Sequence, residues 1–236
     1  MDKHKIIFVI VVSLLLVSCT KEKEPGTIIK QKVTLGTKDN IKISGNFYPK
    51  ETNKGIILLH AYKEDKNAWN FFIDQLRKEG YNVLAIDLRG HGESELDLKT
   101  MNAQDYNNMI LDVQAAFDYL IEKNIQEVSL IGASIGANIA LNFAVGEEGI
   151  QRIILLSPGL DYHGIKTEDY ITHYKRPLLI IVGGLDKYSW ESSNALFDKS
   201  GSTIKLQPYE TDKHGIEILK QYPETKDLII NWMKIN

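Results

Sequence analysis

One cysteine in 236 residues leaves no internal disulfide to hold the chain together. Six prolines and seventeen glycines are too few for a collagenous or low-complexity chain. Neither sign of charge dominates: 28 Lys and Arg stand against 31 Asp and Glu, a formal net charge of −3, so nothing drives binding to a nucleic-acid backbone. The longest apolar run, Ile6–Val17, is interrupted by Ser13 and falls well short of the ~20 residues needed to cross a bilayer as a helix. No H-E-x-x-H or comparable ligand spacing is present, no G-K-[ST] follows a glycine loop, and no dinucleotide fingerprint occurs, so neither a metal nor a cofactor is expected. What is there is ordinary for a globular protein: 43% hydrophobic, 25% charged, and long enough for one α/β domain of ~200–250 residues.

The first residues differ from the rest. Met1-Asp2-Lys3-His4-Lys5 ahead of the apolar run has the form of a secretory signal. Leu16-Val17-Ser18-Cys19 resembles the lipobox of bacterial lipoproteins, in which a small residue precedes the lipidated cysteine. That resemblance implies removal of residues 1–18, a lipid on Cys19, a polar tether over 19–26 and a globular domain over 27–236. The domain would hang from the bacterial cell envelope, outside the cytoplasm, touching the membrane only through its anchor.

From Thr27 onward the hydropathy changes period twice. Ile29–Leu35 and Ile41–Phe47 alternate around a Gly36–Asn40 turn, which predicts an antiparallel hairpin. Continuous apolar runs then recur at 56–59, 83–86, 128–131, 153–156 and 178–182, with a weaker one at 204–206, as strands covered on both faces require. Between them Trp69–Leu76, Met109–Leu120, Ile139–Phe143 and a segment starting at Ile216 carry helical spacing. The alternation predicts an α/β fold with a mostly parallel, doubly wound sheet of about eight strands and helices on both faces. Ligands in such sheets bind beyond the carboxyl ends of the strands, which directs attention to the residues just after each run.

After the 128–131 strand comes Gly132-Ala133-Ser134-Ile135-Gly136, then a helix. A serine in a sharp strand-to-helix turn needs small residues two before and two after it, and the next amide, of Ile135, points where an oxyanion would form. A serine hydroxyl needs a base, and the base an orienting acid, so a carboxylate and a histidine are expected downstream. Asp186 follows the 178–182 strand and His214 precedes a helix after the last strand. Asp161 is the rival acid because it too follows a strand; Asp212 is too close to His214 in sequence to orient it.

With these residues in place, the chain from about Thr27 onward resembles the α/β-hydrolase superfamily. Asp87-Leu88-Arg89-Gly90-His91-Gly92-Glu93-Ser94 is similar to its D-x-R-G-H-G-x-S loop, and Leu58-Leu59-His60-Ala61-Tyr62 to its L-L-H-G-x segment. The resemblance implies Ser134 as nucleophile, Asp186 as acid, His214 as base, and the amides of Ile135 and Tyr62 as oxyanion donors. It gives His60 and His91 a bracing role; His163 and His173 read as ordinary surface histidines. Ala61 stands where the family has glycine, a residue permitting backbone conformations that alanine resists. Only Gly159–Arg176 separate two strands at the usual lid position, too little for a helical cap domain, so an open site is expected, with Tyr62, Tyr162 and Tyr188 available to line it. The implied reaction is hydrolysis of small-molecule carboxylic esters with short or medium acyl chains through an acyl-enzyme. A peptidase or thioesterase on the same triad is the alternative, followed by a non-catalytic surface binding protein.

Overall fold

The computed structural model describes residues 29–201 and 203–234. The signal segment, the lipobox Cys19 and the tether lie outside them. The eight main strands are β1 (Gln31–Gly36), β2 (Lys42–Tyr48), β3 (Lys54–Leu59), β4 (Asn82–Ile86), β5 (Glu127–Ala133), β6 (Ile150–Leu156), β9 (Leu178–Gly183) and β10 (Ile204–Tyr209). A two-stranded ribbon of β7 (Asp161–Tyr162) and β8 (Ile165–Lys166) stands apart from the sheet. The sheet order is β1-β2-β4-β3-β5-β6-β9-β10, with β1 and β2 antiparallel and every pairing from β4 to β10 parallel. Both the hairpin and the doubly wound sheet expected from the hydropathy are present.

The continuous apolar runs are explained by a core on each side of the sheet. In β3, Ile57 and Leu59 face one cluster while Ile56 and Leu58 face the other, all four completely buried. Burying one such side chain contributes roughly 1.5–3 kcal/mol, so strands apolar on both faces are favoured only where helices cover both. On the first face lie α3 (Met109–Glu122) and α4 (Ile135–Gly146), presenting Met109, Val113, Leu120, Ile139 and Phe143. On the second lie α1 (Asn70–Lys78), α7 (Ile216–Gln221) and α8 (Thr225–Met233), with Phe72, Leu76, Leu219 and Ile230 turned inward.

The helix α6 (Lys187–Lys199) carries almost no apolar signal in sequence. Its buried face is Ser189, Ser192, Ser193 and Leu196, so three of the four inward positions are hydroxyls that a hydropathy period does not register. Two short helices, α2 (Ala103–Asn107) and α5 (Glu168–His173), and a 3-10 turn at Lys66–Trp69 complete the described fold. Residues 157–177 hold only the β7–β8 ribbon and α5, so no large cap domain covers the strand ends.

Candidate active site

The turn between β5 and α4 is a tight one. Ser134 sits at φ 53°, ψ −119°, a region that L residues rarely enter and that persists only where the surroundings enforce it. The enforcement is visible. A Cβ on Gly132 would collide with the Gly136 backbone, and a Cβ on Gly136 would lie 2.6 Å from the His60 carbonyl oxygen. The glycines therefore let α4 start directly against β3, which lifts Ser134 to the end of the central strands. Ile135 is the first residue of α4, so its amide has no intrahelical partner and faces the positive end of the helix dipole.

Asp186 and His214 come together across two loops at the same edge of the sheet. His214 Nδ1 lies 2.6 Å from Asp186 Oδ2. Gly183, at the end of β9, makes the approach possible: a Cβ there would sit 2.6 Å from the carbonyl oxygens of Thr211 and Lys213. Hydrogen bonds from Gly184 N to Tyr209 O (2.7 Å) and from Leu185 N to Thr211 O (3.0 Å) tie the acid loop to the histidine loop. The carboxylate side chain is 17% exposed and the imidazole 40%, so the pair is shielded on one side and open on the other. Asp161 is elsewhere: it is exposed, and its Oδ1 accepts the Gly164 amide at 2.7 Å to close the β7–β8 turn. Of the two rival acids, the structure brings Asp186 to the histidine.

Ala61 needs no glycine substitute. Its φ is negative, and the left-handed residue of this loop is Lys63, at φ 64°. The loop closes on itself through Ala61 N to Glu64 Oε2 (3.2 Å) and Glu64 N to Ala61 O (3.1 Å). Burial raises the Glu64 carboxyl above its ordinary range, with the Ala61 amide opposing. His60 clamps this loop to the next: Nδ1 donates to Ala61 O at 2.7 Å and Nε2 accepts from Leu88 N at 3.0 Å, which fixes the tautomer. Complete burial pushes its titration down to about 4, so the ring stays neutral. His91 bonds the Arg89 carbonyl at 2.9 Å and packs 5.0 Å from the His60 ring. Both histidines occupy the bracing positions read from sequence.

The site is less open than the short lid segment implied. Ser134 is only 6% exposed, and Tyr162 of the β7–β8 ribbon hydrogen-bonds its side chain. His163 and Gly164 form its two-residue turn, both at positive φ (54° and 87°), as a hairpin of matching twist requires. His163 is exposed as expected, but its ring is not free: it stacks on Tyr106 (4.5 Å, 11°) and lies 4.5 Å from Tyr62. At the other end Tyr162 meets the His214 ring edge-to-face at 6.3 Å. Burial pushes the Tyr162 phenol up to about 12, with the hydroxyls of Ser189 and Ser134 opposing, so it is a neutral group at physiological pH. Tyr188 pins the ribbon from α6, its hydroxyl bonding both the amide (2.9 Å) and the carbonyl (2.8 Å) of Asp161. Among the described residues no group of three or more His, Cys, Asp or Glu could hold a metal ion.

A mostly parallel sheet of this order, with a strained serine between β5 and α4 and a carboxylate–imidazole pair beyond β9 and β10, defines an α/β-hydrolase. A family profile described as serine aminopeptidase, S33, matches residues 50–172, just over half of the chain, and the chain belongs to that family. A serine hydrolase-like protein of Dictyostelium discoideum is 27% identical over 184 residues, which is 75% of this chain and 48% of that protein. The AB hydrolase superfamily protein YisY of Bacillus subtilis is 30% identical over 125 residues, 48% of this chain and 44% of its own length. The chain thus spans about half the length of the curated relatives it matches. Among solved structures, the esterase Pf2001 of Pyrococcus furiosus superposes with a TM-score of 0.77 at 23% identity, covering 88% of this chain and 92% of that one.

Proposed function

We propose that this protein is a serine hydrolase that cleaves carboxylic esters of small or medium acyl chains. The observation that carries the reading is the Asp186–His214 contact of 2.6 Å at the same strand ends as the strained Ser134. In this reading Ser134 Oγ attacks the ester carbonyl while His214 accepts its proton. Asp186 holds the imidazole in the productive tautomer and stabilises the imidazolium. The amides of Ile135 and Tyr62 stabilise the oxyanion, each such donor being worth roughly 3–4 kcal/mol in serine hydrolases. The alcohol leaves with the proton from His214, and water, deprotonated by the same histidine, releases the acid.

The test is a panel of p-nitrophenyl esters from acetate to palmitate beside aminoacyl p-nitroanilides, run on the purified domain with and without a fluorophosphonate. Turnover that peaks at short or medium esters and stops when Ser134 is phosphonylated is the expected result. Turnover confined to the anilides makes the protein a peptidase instead. Absence of both, from folded protein, overturns the hydrolase reading.

We read Cys19, after Leu16-Val17-Ser18, as the lipid attachment site that holds the domain to the outer side of a bacterial envelope membrane. The Cys19→Ala protein is expected to move from the membrane fraction to the soluble one, or to remain unprocessed. Identical fractionation and processing of the variant would remove the anchor from the proposal.

A further inference from the structure

One hydroxyl that no sequence motif marks reaches the catalytic histidine, and a second reaches it through the first. Ser189, in the first turn of α6, is fully buried, and its Oγ lies 3.2 Å from His214 Nδ1 and 3.2 Å from the Tyr162 hydroxyl. Tyr162 also reaches the Ser157 carbonyl at 3.4 Å. Donor capacity orders this chain of contacts. A carbonyl only accepts, so Tyr162 donates to Ser157 O, and the phenol oxygen is left to accept from Ser189 and from Ser134. Ser189 Oγ then offers lone pairs to His214 Nδ1, whose proton it shares with the Asp186 carboxylate at 2.6 Å.

Ser157 anchors the same histidine from its backbone. Its Oγ accepts the Gly215 amide at 2.9 Å, and the residue itself is completely buried at φ 51°. A non-glycine held there is strained, and such strain persists where the surrounding contacts over-determine it. The first turn of α6 and the ribbon thus meet the His214 ring, while the strand end after β6 holds the amide of the next residue.

We propose that Ser189 and Tyr162 are positioning residues for His214, forming a hydrogen-bonded brace that fixes the ring's orientation and gives the imidazolium a second acceptor beside Asp186. The inference rests on the serine-hydrolase reading of the site. Contacts of 3.2 Å are longer than the ~2.7–2.8 Å of an ideal O–H···O bond, and catalytic bonds commonly shorten as charge develops. The brace therefore acts most when the ring is protonated, that is, in the transition state.

The other titratable groups around the ring are Glu64 from the loop after β3, Asp212 and Lys213 from the histidine's own loop, and the Glu217–Lys220 pair of α7 (2.6 Å). Neither proposed substitution touches any of them. In Ser189→Ala the loss of an acceptor disfavours the protonated ring. The rate of phosphonylation by a fluorophosphonate should fall about three- to tenfold, as for one hydrogen bond. The acidic limb of that rate should move to lower pH by up to about one unit. Tyr162→Phe strips a hydroxyl that orders Ser189 and also bonds the Ser134 side chain, so its readout is the acidic limb alone, which should move in the same direction to a smaller extent.

Thermal midpoints are measured alongside. A slower rate with the acidic limb unmoved makes Ser189 a packing residue and overturns the proposal, as does an unchanged rate. Should Ser189→Ala fail to fold, Tyr162→Phe decides by its acidic limb: a limb moved to lower pH supports the brace, and an unmoved one overturns it. If the wild-type protein takes no label at all, the hydrolase reading has failed separately. The His214 imidazole resonance, titrated by NMR in wild type and Tyr162→Phe, then decides: displaced midpoints support the brace, and coincident ones overturn it.

Discussion

Asp186→Asn is expected to lower kcat on p-nitrophenyl acetate about 10⁴-fold, Ser134→Ala about 10⁶-fold, and Asp161→Asn by no more than about twofold. The first loss follows from the 2.6 Å contact between Asp186 Oδ2 and His214 Nδ1. A carboxylate there accepts the Nδ1 proton, leaving Nε2 free to take the serine proton. An amide supplies no charge to balance the imidazolium and can present its NH2 instead, which selects the wrong tautomer. The backbone stays in place in Asp186→Asn because the loop is held by Gly184 N, Leu185 N and the Asp186 amide, none of which involves the side chain. Asp161 is the internal control. Its role is to accept the Gly164 amide in the ribbon turn, and asparagine keeps an oxygen for that bond. A collapse of activity in Asp161→Asn with Asp186→Asn spared would reverse the assignment of the acid.

Much of this site could be read from the chain because steric necessity shows in residue type. Gly132 and Gly136 are required by backbone contacts that no side chain survives, so the spacing around Ser134 is a direct record of the turn. Hydropathy locates the strand ends that Asp186 and His214 follow, while their order as acid and then base is what the resemblance to the α/β-hydrolases implies. Ala61 is accommodated without strain because the loop places its left-handed residue at Lys63, a detail of how Glu64 closes the turn that residue type does not record. Ser189 and Ser157 could not be found the same way. A buried serine has no periodicity, and its partners lie 25 and 58 positions away in His214 and Gly215. The ribbon that brings Tyr162 to Ser134 is hidden from the sequence for a related reason. Its strands are two residues each, below any hydropathy window, and only the positive φ values of His163 and Gly164 mark the turn.

The largest expected effect on stability lies away from the chemistry, at Arg89. Its side chain is 1% exposed and holds two carboxylates: Asp112 of α3, through Nε (2.9 Å) and Nη2 (2.7 Å), and Asp39 of the β1–β2 turn, through Nη1 (2.7 Å). Arg89 N also donates to Asp112 Oδ2 at 2.8 Å. Burial pushes the Asp112 carboxyl up to about 6 even with the guanidinium opposing, while hydrogen bonds from Arg89 hold Asp39 down to about 2. Arg89→Met removes the one cation between them and leaves Asp112 buried without a partner charge. Breaking such a pair costs about 3–5 kcal/mol, or a drop in Tm of roughly 6–20 °C for a domain of this size. The pH dependence carries a definite sign. Asp39 has a folded value below its ordinary 3.8, so its contribution is present above pH ~4 and lost as pH falls towards 2. Asp112 has a folded value above 3.8, so its ionisation through pH 4–6 lowers stability as pH rises. In the variant that second penalty grows, and the deficit measured by urea unfolding should be larger at pH 8 than at pH 5. Adding Asp112→Asn, which takes the unpaired charge away, should recover part of the loss at pH 8 and little at pH 5. A deficit that is the same at both pH values, or untouched by the second substitution, would mean that Arg89 stabilises the fold by packing its stem and not by holding two acids together.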